Sequence, residues 1–294
     1  MPRLSKEQKI SVVNEYQNNL KLTCADISKK YGVNNSSIRT LLIRRGVKIR
    51  SNRSILRRKY DINENYFDQI DTEGKAYFLG LLYADGCNQS YKTITMSLQE
   101  EDKHILECFN KELKTNKPLY FVDYSKKHPK WQNQYKIEIA NQKLVISLTK
   151  LGCVPRKSLT LTFPSEKQVP KKLLRHFLRG MWDGDGHIGK VEKNCTQISL
   201  VSSIAFCQSA QNIIENEIGI KFNYFFHKTE GIKVLALGGL IKPHKFLSWI
   251  YGDCKFFIKR KYNRFKKIDE AMKNNMQSSS FRKRKKNLLI KLGY

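Results

Sequence analysis

The chain reads as an α+β protein in which one αββαββα unit occurs twice, its antiparallel sheets forming a pseudo-twofold saddle, behind a small all-α N-terminal domain. Three observations lead there. Two apolar stretches, residues 78–86 and 178–186, spell nearly the same phrase one hundred positions apart, and each ends in Asp-Gly. Such self-similarity marks an internal duplication. After each stretch, segments rich in Val, Ile, Tyr and Thr alternate with helical patterns in the same order, as half-buried strands and packed helices require. Ahead of both, residues 5–46 hold three short helical patterns and no strand pattern.

The elements follow in order. Residues 6–19 place Ile10, Val13 and Tyr16 at helical spacing, residues 24–31 give a second helix with Ala25 and Ile27 inward, Gly32-Val33 turns, and residues 35–45 form a third. Ala25 to Val33 followed by Ser36 to Leu42 resembles the helix-turn-helix of DNA-binding proteins. In that geometry the third helix enters the major groove N-terminal end first, which makes Asn35, Ser36, Ser37 and Arg39 the expected readers. A plain three-helix bundle is the alternative. Residues 48–65 then form a basic linker with Arg50, Arg53, Arg57, Arg58 and Lys59, suited to following a phosphate backbone.

The first repeat reads as helix 74–85, strands 89–91 and 93–98, helix 102–113, strands 119–124 and 135–140, and helix 142–151. The second reads as helix 171–183, strands 187–191 and 197–201, helix 204–218, strands 222–227 and 233–237, and helix 241–250. Residues 256–272 form a basic helix, and the charge run 281–286 reads as a solvated tail. The expected boundaries are therefore 1–47 for the helix-turn-helix domain, 48–73 for the linker, 74–165 and 166–272 for the repeats, and 273–294 for the tail.

The repeated phrase carries the chemistry. Gly80 and Ala84 recur as Gly180 and Gly184, small residues four apart on one helix face. Gly inside a helix costs roughly 1 kcal/mol against Ala, so Gly80 and Gly180 call for a packing reason, and two such faces can meet backbone to backbone. Their C-terminal ends then bring Asp85 and Asp185 together. Two carboxylates there repel each other and oppose the helix dipoles, and divalent cations relieve both penalties. Mg²⁺ takes one or two carboxylates plus water and phosphate oxygens, with the Ala84 and Gly184 peptide oxygens as further candidate metal ligands. Paired metals suit in-line phosphoryl displacement.

These paired motifs resemble those of the LAGLIDADG homing endonucleases, in the monomeric form with two copies per chain, over roughly residues 74–268. The first copy departs from the consensus at Tyr83, which replaces an acid; the second, Trp182-Asp-Gly-Asp-Gly186, keeps both acids. The resemblance implies a site-specific, Mg²⁺-dependent double-strand DNA endonuclease of the intron-homing kind, with Mn²⁺ as a substitute, leaving staggered ends. It also implies a catalytic lysine after the last helix of each repeat. Lys157 matches in the first; alignment of the Arg-Lys pairs 156/157 and 260/261 favours Lys261 in the second, with Lys255 and Lys259 as rivals. Asp183 reads as a residue orienting the helix interface. Polar residues on the free sheet faces, Gln89, Ser90, Lys92, Gln134, Lys136, His187, Lys190, Lys193 and Gln197, are the expected DNA contacts.

Composition bounds the partners. Lys and Arg number 55 against 26 Asp and Glu, a net charge of +29, which implies a polyanion. No apolar run approaches the ~20 residues of a bilayer span and no signal-peptide core opens the chain, so nucleic acid is preferred to a membrane, and the resemblance makes double-stranded DNA the expected partner. Seven scattered cysteines without C-x-x-C read as buried thiols of a reducing compartment, giving a cytoplasmic location in a bacterial or phage-infected cell, with an organellar host still open. Both motifs lie in one chain, so a monomer is expected. Two alternatives remain open: a non-cleaving DNA-binding transcription regulator, and an RNA maturase with intron RNA as partner.

Overall fold

The computed structural model describes residues 4–19, 21–50, 60–124 and 130–294. The chain separates into two compact units, Met1–Ile62 with Thr115–Lys117, and Asn63–Lys114 with Pro118–Tyr294.

The first unit holds α1 (Lys6–Asn18), α2 (Cys24–Tyr31) and α3 (Asn35–Arg44). Capping boxes start the first two: Gln8 N–H donates to Ser5 Oγ while Ser5 N–H donates to Gln8 Oε1, and Thr23 and Asp26 repeat the exchange. Gly32 ends α2 at φ 65°, the left-handed conformation that favours glycine. The core is Val12, Tyr16, Cys24, Ile27, Ile38 and Leu42. Two expected core positions change. Ile10 is 55% exposed and Ala25 lies outward, because the seam of three short helices is narrow enough for Val12 and Tyr16, one turn apart, to fill it. Arg50 belongs to this fold as well as to the linker. Its guanidinium stacks 3.9 Å from the Tyr16 ring centre and donates to the Tyr16 carbonyl at 2.6 Å. Arg53, Arg57, Arg58 and Lys59 lie outside the described residues.

The second unit is the duplicated α+β architecture. Its first half runs α4 (Glu73–Asp85), β1 (Gly86–Gln89), β2 (Thr93–Gln99), α5 (Lys103–Glu112), β3 (Tyr120–Val122), β4 (Gln134–Ile139) and α6 (Gln142–Lys150). The second runs α7 (Leu174–Asp185), β5 (Gly186–Ile188), β6 (Thr196–Ser203), α8 (Ile204–Ile218), β7 (Asn223–Phe226), β8 (Ile232–Gly239) and α9 (Ile241–Tyr251). Each half makes one antiparallel four-stranded sheet, ordered β1-β2-β4-β3 and β5-β6-β8-β7. The hairpins differ in length: Gly86 faces Met96, whereas Gly186 faces Leu200.

Helices α4 and α7 form the centre. Every residue of α4 from Ala76 to Tyr83 is buried, so this helix has no polar face. A Cβ on Gly80 would fall onto the Phe177 carbonyl oxygen, and one on Gly180 onto that of Tyr77. The two glycines thus permit the backbone contact that their spacing implies.

The C-terminal segment departs from the expected solvated tail. After α10 (Lys259–Gln277), residues Ser279–Lys291 form α11. Phe281, Leu289 and Leu292 are buried on one side while Arg282 to Lys286 stay exposed. The apolar stripe at helical spacing outweighs the charge run, since only one face needs to dock. His244 anchors the end, hydrogen-bonded to the Tyr294 hydroxyl at 2.5 Å and to Asp269 at 2.9 Å.

Candidate active site

Asp85 and Asp185 are the last residues of α4 and α7, and after each the chain enters its sheet at the following glycine. The helices cross at Gly80 and Gly180, so their C-terminal ends converge. A Cβ on Gly184 would stand 2.8 Å from Asp85 Oδ2 and collide with Ala84 Cβ, so the bare glycine is what leaves room for the carboxylate. Burial, and then the facing Asp185, push the Asp85 carboxyl up to about 7, against Lys261, Lys157 and Arg260. Asp185 is also raised by loss of surrounding water, opposed by Lys157 and Lys261. Its residue surface is the more exposed of the two, so Asp85 is the more firmly displaced.

Two buried lysines sit behind the acids in matching roles. Lys157 Nζ donates to the Gly86 carbonyl. Lys261 Nζ donates to the Gly186 carbonyl at 2.6 Å and to those of Trp182 and Gly184, both at 2.9 Å. Burial pulls the Lys261 ammonium down to about 8 despite Asp183, Asp85 and Asp185. Lys255 and Lys259 are exposed. Since the Gly184 oxygen already accepts from Lys261, it has one lone pair left for any metal.

Asp183 lies away from the paired carboxylates' opening. It accepts from the Tyr251 hydroxyl at 2.5 Å, the Tyr77 hydroxyl at 2.8 Å and the Ile258 N–H at 2.9 Å, which joins both central helices to the segment that leads into the helix carrying Lys261. Arg179, fully buried, ties the same segment to the end of α9: it donates to the Phe256 and Ile250 carbonyls, both at 2.8 Å, and pairs with Glu73 at 2.7 Å.

The donor set fits a hard cation with few protein ligands. Among the described residues no group of three or more His, Cys, Asp or Glu could hold a metal. The paired carboxylates and peptide oxygens leave most coordination positions to water and phosphate, as Mg²⁺ prefers. All cysteines are free; Cys24, Cys153 and Cys207 are buried, while Cys87 and Cys195 are exposed, contrary to the expectation of uniformly buried thiols.

The candidate DNA contacts scatter over several surfaces. Gln89, Ser90, Lys92, His187, Lys190, Lys193 and Gln197 are exposed on or beside the first hairpin of each repeat, Gln134 and Lys136 are half-buried on β4, and Lys136 pairs with Glu138 at 3.4 Å. In the first unit Asn35, Ser36, Ser37 and Arg39 are exposed on the first turns of α3. Sequence reasoning missed a second group. Gln99, Asp102 and Arg260 line a cavity of about 450 Å³ together with Asp85 and Gly184. A signal existed in Asp102, a carboxylate at a position the helical pattern places inward. It also missed exposed aromatics on outer strands, Phe225 and Phe226 above all, the latter 87% exposed.

No protein-family model and no curated protein matches the chain. Solved structures to which it is similar are LAGLIDADG homing endonucleases. The I-LtrWI enzyme bound to target DNA is 12% identical, with 76% of this chain and 96% of that chain covered at a TM-score of 0.45. The I-WcaI enzyme bound to its DNA recognition sequence is 10% identical, with coverage of 69% and 91% and a TM-score of 0.45. The N-terminal LAGLIDADG domain of WhiA is also similar, at 12% identity, coverage of 64% and 89%, and a TM-score of 0.41. Among the described residues no helix is long and apolar enough to cross a membrane.

Proposed function

We propose that this protein is a site-specific double-strand DNA endonuclease that acts as a monomer and depends on Mg²⁺, with Mn²⁺ as a substitute. The observation that carries the reading is the pairing of Asp85 and Asp185 at the ends of two helices crossed at Gly80 and Gly180, each with a buried lysine behind it. A net charge of +29 supplies the attraction for a polyanion.

Asp85 and Asp185, with the Ala84 and Gly184 peptide oxygens, would hold the cations. Bound there, the metal supplies a Lewis acid for the scissile phosphate and lowers the pKa of its water. Lys157 and Lys261 hold the two helix-to-strand corners and place positive charge where the phosphorane charge develops. One carboxylate per strand gives two hydrolyses and staggered ends. The exposed hairpin residues and α3 would read the duplex, α3 extending the footprint without entering the chemistry.

The test is cleavage of a randomised duplex library with Mg²⁺, comparing wild type with Asp85→Asn, Asp185→Asn and the double variant. Discrete double-strand cuts by wild type, reduced about a hundredfold or more in each variant, support the reading. Equal cutting by either single variant sinks the two-aspartate mechanism. Retention of specific duplexes without cuts by wild type would instead indicate a regulator.

A further inference from the structure

The cavity beside Asp85 contains a side chain with no counterpart beside Asp185 among the described residues. Arg260 Nε donates to Asp102 Oδ2 at 3.0 Å, and Gln99 Nε2 donates to the same oxygen at 2.9 Å. Asp102 is 1% exposed, so it is a buried anchor, and the exposed Glu101 lies 3.6 Å from the same Nε. Among the described residues neither Nη group of Arg260 has a hydrogen-bond partner, and the arginine side chain is 39% exposed. The guanidinium is therefore held at its inner edge while its outer N–H groups stay free in a cavity that also holds Asp85, Gln99 and Gly184. A planar fork presented this way matches two oxygens of one phosphodiester.

The repeat relation shows why the other side differs. Counting from the matched pairs Gly86–Met96 and Gly186–Leu200, Gln99 falls on Ser203 and Asp102 falls on Phe206. Phe206 is fully buried, as Asp102 is, but it offers no acceptor. The arginine that precedes the buried lysine of the first repeat, Arg156, is exposed and makes no ion pair among the described residues. One repeat buries an acid that orients the arginine of the other, and among the described residues the reverse arrangement is absent.

We propose that Arg260, positioned by Asp102, is a phosphodiester-binding residue for one DNA strand only, so that the centre of the duplex is gripped asymmetrically. The inference rests on the duplex-DNA reading above and deepens it.

The test reads binding alone, in EDTA. A duplex recovered by the wild-type protein from a randomised library is resynthesised with its central phosphodiesters replaced by neutral methylphosphonates, first in one strand and then in the other. Wild type should lose about tenfold more affinity for one modified strand than for the other, a difference of ~1.4 kcal/mol. Arg260→Gln should bind both modified duplexes equally, and Asp102→Asn should narrow the gap while leaving the charge of Arg260 in place. Should Arg260→Gln fail to fold, Arg260→Lys, which keeps the charge without the fork, must also narrow the gap. Equal penalties in wild type, or a gap unchanged in the arginine variants, overturn the inference while leaving the nuclease reading intact. If wild type retains no duplex, both fall.

Discussion

Two residues before each paired aspartate, the repeats solve one packing problem with opposite chemistry. In the first, the Tyr83 hydroxyl donates to the Leu151 carbonyl. In the second, Asp183 accepts from the hydroxyl of Tyr251, the residue one hundred positions after Leu151, and from Tyr77 and Ile258 besides. Donor and acceptor have changed places between the same two points of the fold. What stays constant is the part closest to the paired acids: the crossing glycines, the aspartate, the following glycine and the lysine on its carbonyl. The two halves thus differ in how the helices are braced and are alike where charge is presented.

Bracing by a buried acid should be the more fragile solution, and this gives the largest expected effect. Asp183→Ala leaves two buried hydroxyls and one buried N–H without their acceptor, so we expect a loss of roughly 3–4 kcal/mol in urea unfolding. Tyr83→Phe removes a single neutral hydrogen bond and should cost about 1 kcal/mol. Equal losses would remove the contrast between the halves. The glycines should behave alike instead. Gly80→Ala and Gly180→Ala each force a methyl group against a carbonyl oxygen of the opposite helix, and each should cost about 2–3 kcal/mol. A marked difference between the two would show that the crossing is less symmetric than its geometry.

The smallest effect concerns pH. The Asp85 carboxyl rises from an ordinary 3.8 to about 7 in the folded protein, so below about pH 4 both folded and unfolded chains hold the proton. Between there and pH 7 only the folded chain does, and its advantage is lost as pH rises through that window. In EDTA, Asp85→Asn should therefore flatten the fall in Tm over this range and raise Tm at pH 8 by roughly 3–6 °C. Mg²⁺ should raise the wild-type Tm at pH 8 and leave the variant nearly unmoved. A variant as pH-sensitive as wild type would show that the carboxylate is not under strain.

Much of the architecture is written locally. Capping residues Ser5 and Thr23, the left-handed stop at Gly32, and the alternating strands of both repeats are each specified within a few positions. The helix boundaries of the first unit accordingly lie within a residue of those read from the chain. The solvated reading of residues 281–286 failed for a related reason: charge was weighed over six residues, while the stripe of Phe281, Leu289 and Leu292 that docks α11 extends beyond them. At the site, Asp85 and Asp185 were legible because the duplication prints them twice. Arg260 was legible only as part of a basic pair, and Asp102 only as an acid on the inward face of a helical pattern. Their pairing joins residues 158 positions apart in sequence, and the four extra residues of the second hairpin hide the match of Asp102 to Phe206.

By itself, then, the sequence determined the duplication, the strand and helix order, the small-residue crossing and the two acids at its end, since periodicity and spacing survive in one dimension. Only the tertiary structure decided that Lys261 rather than Lys255 or Lys259 is buried against the helix ends, that Asp183 acts through Tyr77, Tyr251 and Ile258, and that Arg260 is held by the buried Asp102. Those outcomes depend on which distant side chains share a low-dielectric interior. There a carboxylate or ammonium is stable only if particular partners arrive at hydrogen-bond distance, and no local pattern reports that arrival.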